Sequence, residues 1–257
     1  MIAAEQGHLD ACHLLCDKGA NIQDEDYEGT TALMYAAMGG HTEVARLLLD
    51  RGATIGAEDA VNALHYACMK GKFEMVRLLI ERGADVNGMG PKNPKKTSAL
   101  IVTAMYCRQK ALLSDEPSEH LKMEPAEEHL KIAVLLHACG AELDHLGAQR
   151  ATALIVASMN QAEGMAILLC QLGASMDLQD TVGCTALYCA TYSENLMIVM
   201  YLCMNGANRQ LKGRGPYEDI ARTPLEYAQK VLKGHVITTY LSSFPALEDA
   251  ATSKGSN

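Results

Sequence analysis

The chain has 257 residues, 49% hydrophobic and 21% charged, with a formal net charge of −9. This composition excludes a wholly disordered or fibrous chain, and the acidic balance argues against nucleic acid as a partner. There is no Trp and only two Phe against 14 Met and 10 Tyr, so Leu, Ala, Val, Ile and Met must do the core filling that bulky aromatics often do.

The N-terminal residues Met1 to Asp10 have no basic stretch followed by an apolar one, so they do not read as a signal peptide. No apolar run approaches the ~18 residues of a membrane span, and no membrane is expected as a partner. Nine scattered Cys with no CxxC pair point to free thiols in a reducing compartment. The expected location is the cytoplasm, with the nucleus as a second compartment.

Two markers recur along the chain. Gly-Ala follows Leu-rich stretches at Gly19, Gly52, Gly83, Gly140, Gly173 and Gly206, at intervals of 33, 31, 57, 33 and 33. A small hydrogen-bonding residue stands two places before a Leu at Thr31, Asn62, Ser98, Thr152, Thr185 and Thr223. Each of these six can serve a helix start, where backbone N–H groups lack intrahelical partners. In the unit from Gly29 to Ala53, a short helix follows with Leu33, Ala36 and Ala37, and Gly40 breaks it. A second helix carries Val44, Leu47 and Leu48 at i, i+3, i+4. Gly52 then takes the position after a helix end, where a left-handed conformation favours Gly. Neither helix is long enough to stand alone in water, so neighbours must stack.

The unit resembles the ankyrin repeat, whose T-P-L-H-x-A signature recurs about every 33 residues. The resemblance spans 1–241, although the Pro survives only at Pro224 and the His only at His65. It implies an all-α solenoid of about seven helix-turn-helix units, the first partial, joined by β-hairpin-like fingers.

The first unit lacks the Thr-x-Leu cap, because Met1 falls where Met34 stands one unit later. A fragment of a longer protein is the expected cause, against a frayed first helix. The third unit follows a finger two residues shorter than the second unit's. The finger 88–96, with Lys92, Lys95 and Lys96, is the only basic cluster; it lacks the G-x-x-x-x-G-K-[ST] pattern of a phosphate loop and reads as a solvated loop. The 57-residue interval places an acidic insertion at 108–128, between the helices of the fourth unit. Helix two should resume at His129, in the column of His8 and His41. Arg150 occupies the place of the turn glycines Gly29 and Gly183. The last finger is five residues longer than the first, and Gln229, Lys230, Lys233, Thr238 and Thr239 give the final unit a polar cap. Residues 242–257 read as a disordered tail.

Nothing in the chain has the convergence of a catalytic site, and no H-E-x-x-H, G-x-S-x-G or kinase loop occurs. The chain is therefore expected not to be an enzyme. No metal or other cofactor is expected; His120 and His129 near Glu124 and Glu128 have no third ligand at metal spacing. Cys16, Cys170 and Cys203 replace aliphatic residues of a helix-two column and should pack, while Cys184 on a finger is the thiol open to exposure. The three His at the start of helix two are expected to make structural hydrogen bonds.

Function must then reside in a surface. The resemblance implies that helix one and the fingers line a concave groove that binds another protein. Carried over column by column, the places after the Ala pair are Met38, Met69-Lys70, Met105-Tyr106, Met159-Asn160 and Tyr192. The place before it holds Tyr35, Tyr66, Val102, Val156, Cys189 and Tyr227. Finger-tip candidates are Tyr27, Glu28, Thr181 and Val182. Met is flexible and polarisable, and Tyr is enriched at interfaces, which makes Tyr66, Met69, Met159 and Tyr192 the expected hot spots. The family resemblance also marks Asn87 as a position of asparaginyl hydroxylation, with turn hydrogen bonding as the favoured role. The expected function is a non-enzymatic adaptor, scaffold or regulatory subunit, acting as a monomer. The alternative is a targeting or regulatory fragment of a larger enzyme or channel.

Overall fold

A computed structural model describes residues 1–55, 62–88, 97–107, 126–215 and 220–244. Among these residues there are fourteen α-helices and no strand longer than an isolated bridge. They alternate between two rows. The inner row holds α1 (Ile2–Glu5), α3 (Ala32–Gly39), α5 (Ala63–Met69), α7 (Ala99–Tyr106), α9 (Ala153–Met159), α11 (Ala186–Tyr192) and α13 (Pro224–Val231). The outer row holds α2 (Leu9–Asp17), α4 (Thr42–Asp50), α6 (Phe73–Glu81), α8 (Ala126–Ala138), α10 (Glu163–Leu172), α12 (Leu196–Met204) and α14 (Val236–Ser242). Each helix touches its own partner and the next helix of its row. This is the expected all-α solenoid.

The six predicted caps all form. Thr31, Asn62, Ser98, Thr152, Thr185 and Thr223 each accept the backbone N–H three residues on. Thr223 completes a capping box, with the Glu226 carboxylate accepting the Thr223 N–H at 2.8 Å. The Ala pairs and their replacements pack between rows: Ala36, Ala37, Ala67, Cys68, Ala157 and Ala190 are wholly buried. The glycines after helix two, Gly52 among them, all take positive φ.

His41 and His129 tie successive units together. The His41 Nε2 lies 2.8 Å from the Glu5 carbonyl, and the His129 Nε2 lies 3.4 Å from that of Met69. The two pairs are 36 and 60 residues apart. The difference, 24, equals the excess in the long interval, so helix two of the fourth unit keeps its register.

Several expectations change. Helix two of the fourth unit starts at Ala126 rather than at His129, one turn earlier than its counterparts. The remainder of the insertion, 108–125, and the basic finger from 89 on lie outside the described residues, as does the tail from 245. The array continues past 241. Ser242 is helical, and Phe244 meets the Tyr240 ring edge-on at 5.2 Å and lies 4.2 Å under the Arg209 guanidinium. Arg150 takes the left-handed turn conformation without being Gly, and so does Gln149 beside it. Cys184 is buried, not exposed, with its Sγ 3.4 Å from the Arg214 carbonyl. Cys170 and Cys203 pack as expected, and burial pushes their thiols up to about 11, which leaves little thiolate at neutral pH.

Candidate protein-binding groove

The inner row presents the candidate surface. Each helix one buries its small residues against the outer row, so the residue after the small pair falls at the far end of the helix. Met38, Met69 and Met105 are half-buried there, and Met159 is exposed. Met69 leans on the core, as do Tyr66 and Tyr192. Lys70 and Tyr106 are exposed. The Met column is therefore open along four successive units, and it differs from Met34, Met75 and Met165, which are buried in the seams.

The neighbouring column is not uniform. Tyr35, Tyr66 and Val156 are half-buried, but Val102, Cys189 and Tyr227 are buried. The reason is visible at the C-terminal end. Tyr227 packs against Tyr188 and Tyr192 with ring centroids 5.5 and 5.7 Å apart. The three tyrosines form a seam between α11 and α13, so Tyr192 is partly spent on packing. The groove is open from the second unit to the fifth and closes toward the seventh.

The first finger bears Tyr27, which is fully exposed, and Glu28. Asp26 builds the turn beneath them. One carboxylate oxygen accepts the N–H groups of Glu28 and Thr30, each at 2.9 Å, and the other accepts the Tyr35 hydroxyl at 2.6 Å. That hydroxyl contact holds the Asp26 carboxyl below its usual range and lifts the Tyr35 phenol to about 12. Tyr35 thus braces the finger with its polar end and offers only its ring. Thr181 and Val182, at the fifth unit's finger tip, join neighbouring fingers: the Thr181 N–H donates to the Gln149 carbonyl, and the Val182 carbonyl accepts from Arg214.

Two polar candidates serve as staples. The Asn160 Nδ2 donates to the Met105 carbonyl at 3.0 Å, across one seam. The Asn87 amide uses both ends, donating to the Gly140 carbonyl and accepting the Glu142 N–H, each at 2.9 Å. Sequence spacing does not show these bonds, because they join residues 53 to 55 apart. An outer-row feature was also missed. A groove of about 710 Å³ runs between α8 and α10, lined by Phe73, Leu130, Val134, Leu135, Ile167 and Leu168. The side-chain-free Gly164 on its wall was the available signal.

Among the described residues, no group of three or more His, Cys, Asp or Glu could hold a metal ion, and no helix is long and apolar enough to cross a membrane. The family pattern for ankyrin repeats in three copies matches residues 1–59 and 123–213, and the single ankyrin repeat pattern matches 61–89. The chain belongs to the ankyrin repeat family. Such repeats are protein–protein interaction modules, and the domains they build are generally non-catalytic. No curated protein matches the sequence. Among solved structures, the human ASB11 ankyrin repeat domain is similar, with a TM-score of 0.74 and 24% identity over 95% of this chain and 97% of that one. At that identity the likeness concerns the fold.

Proposed function

We propose that the protein is a non-enzymatic adaptor, scaffold or regulatory subunit that binds a partner protein along its inner row and first finger. The observation that carries this reading is the Met column. Met38, Met69, Met105 and Met159 stand open at one place in four successive units, where packing alone does not require them. Their flexible thioethers suit an adaptable apolar contact, and Tyr27, Tyr66 and Tyr106 add rings with polar tips. Lys70 supplies a cation within the surface. The stacked repeats hold these groups in place before binding, which lowers the ordering cost. Nine free thiols support a reducing location, cytoplasmic or nuclear.

Co-purification from cells tests the reading. The Tyr66→Ala/Met69→Ala variant should lose the partners that wild type captures, because truncating central anchors typically costs about 2 kcal/mol or more, roughly 30-fold in affinity. A Leu130→Ser/Val134→Ser variant on the outer row should keep them. Retention of every partner by the first variant would count against the groove.

A further inference from the structure

The outer row changes character half-way along the stack. One stripe of each outer helix faces away from the inner row, at places i, i+3 and i+7. In the second unit it holds Glu43, Arg46 and Asp50, and in the third Glu74, Arg77 and Glu81. The two arginines pair with acids of their own helix, Arg46 with Glu43 at 3.8 Å and Arg77 with Glu81 at 3.2 Å. The next three units drop these charges. The same places hold Lys131, Val134 and Ala138 on α8, Gly164, Ile167 and Gln171 on α10, and Met197, Met200 and Met204 on α12. Lys131 is the one charge among them, and Glu127 and Glu128 of the same helix hold it at 3.1 and 2.9 Å. Val134, Met197 and Met204 are 47%, 56% and 75% exposed. Covering apolar area is favourable in proportion to its size. A face that loses its charges in three consecutive units and stays bare therefore marks a contact surface.

We propose that the outer face of units four to six is a self-association surface, on which a second copy of the chain packs the same face. The shape is complementary to itself. The groove of about 710 Å³ between α8 and α10 is a hole, and Gly164 leaves part of its wall empty. One helix further on, Met197 and Met204 stand out as knobs. A two-fold axis running along the helices, between α10 and α12, lays the Met pair of each copy in the groove of the other. Both holes fill at once, and the contact closes as a pair. The chemistry favours the same occupant. Homodimer interfaces are more apolar than transient ones, with Met enriched and Lys and Glu depleted. A face with one neutralised charge has little means of selecting a different protein electrostatically. The size agrees as well. Three helices about 10 Å apart and eight residues at about 1.5 Å rise span about 360 Å² in projection. Each side of a standard interface contributes about 800 Å² of accessible surface, of which about 500 Å² is apolar in a homodimer. Accessible surface exceeds its projection, so this face supplies most of the apolar core of one dimer. It lies on the opposite row from the Met column, stands apart from the inner-row groove, and replaces the expected monomer.

Sedimentation velocity on the full chain, from about 1 to about 500 μM, tests it. Wild type should pass from monomer to dimer in that range. Gly164→Glu fills the groove with the side chain that Glu43 and Glu74 carry at that place. It should raise the dimer dissociation constant at least about 30-fold, as for a central interface residue. The fold should not suffer, since losing Gly favours the helix and an acid suits its first turn. The melting temperature of the dilute monomer should therefore not fall. Met197→Glu/Met204→Glu should weaken the dimer at least as much, with helix content by circular dichroism matching wild type. In wild type, peroxide should oxidise Met197 and Met204 more slowly at the top of the concentration range than at the bottom. Met159, exposed on the inner row, should oxidise equally at both. A wild type that stays monomeric throughout would overturn the proposal and leave the face to another protein. A dimer indifferent to Gly164→Glu, or one whose Met197 and Met204 oxidise as fast as in the monomer, would overturn it as well.

Discussion

His65 is the residue whose removal should most damage one seam of the stack. It sits on α5 and is 1% exposed. Its Nε2 donates to the Thr97 carbonyl at 2.8 Å, which ties the third unit to the fourth. Its Nδ1 lies 2.7 Å from the Asn62 Oδ1, the same oxygen that caps α5 by accepting the His65 N–H at 3.1 Å. Replacing it with Leu keeps the volume and the backbone cap but removes the Nε2–H bond to Thr97, the one hydrogen bond the neutral ring can donate. Each lost hydrogen bond costs about 0.5–1.5 kcal/mol, and a buried carbonyl left unpaired costs about 1–3 kcal/mol. Thr97 is itself buried, so the expected loss is about 2–4 kcal/mol. For a chain of this size that lowers the melting temperature by about 5–15 °C. Because each repeat couples only to its neighbours, the damage should centre on α5 and α7. Urea unfolding gives the energy, and hydrogen exchange at 62–70 and 98–106 gives the location. The pH dependence carries a sign. Burial depresses the His65 pKa, and the Thr97 contact offsets this only in part. The neutral ring is then the folded form. Its stabilisation is complete above the unfolded value of about 6.5 and falls away as pH drops below it. The gap between wild type and His65→Leu should therefore narrow from pH 7 to pH 5. A loss below about 0.5 kcal/mol at pH 7, or a gap that widens on acidification, would refute this reasoning.

Other perturbations follow from the same geometry. Asn87→Ala removes both of that side chain's bonds, to Gly140 and Glu142, and should cost about 1–3 kcal/mol in thermal or urea unfolding, whereas Lys70→Ala, on an exposed site, should stay within about 0.5 kcal/mol. Gly183→Ala should destabilise by at least about 1 kcal/mol, since φ there is +84° and a Cβ would come 2.8 Å from the Lys212 carbonyl; calorimetry checks it. Thr223→Ala removes one half of the only full capping box among the described helices and should cost about 1 kcal/mol, seen as faster amide exchange in α13.

Much of the fold was legible because its signals are local. Thr31 and its five counterparts cap a helix through bonds only three residues long, and Gly52 ends one through its own φ. The 24-residue excess was legible too, since His129 could be placed in the His41 column. What spacing could not show depends on contacts between units. Asn160 read as a groove residue and Asn87 as a maker of local turn bonds, because their acceptors lie more than 50 residues away. Tyr227 shares a column with the half-open Tyr66 but is buried, because Tyr188 and Tyr192 on the preceding inner helix supply rings, where the equivalent residues before Tyr66 are Met34 and Met38.

A partner lying along the inner row should slow backbone exchange there and leave the outer row unchanged. Hydrogen exchange of the protein with and without a partner recovered by co-purification tests it most directly. Protection should appear at 24–30, 66–70, 102–106 and 156–160, with no change along α4, α6 and α10. Protection confined to those outer helices would contradict the claim.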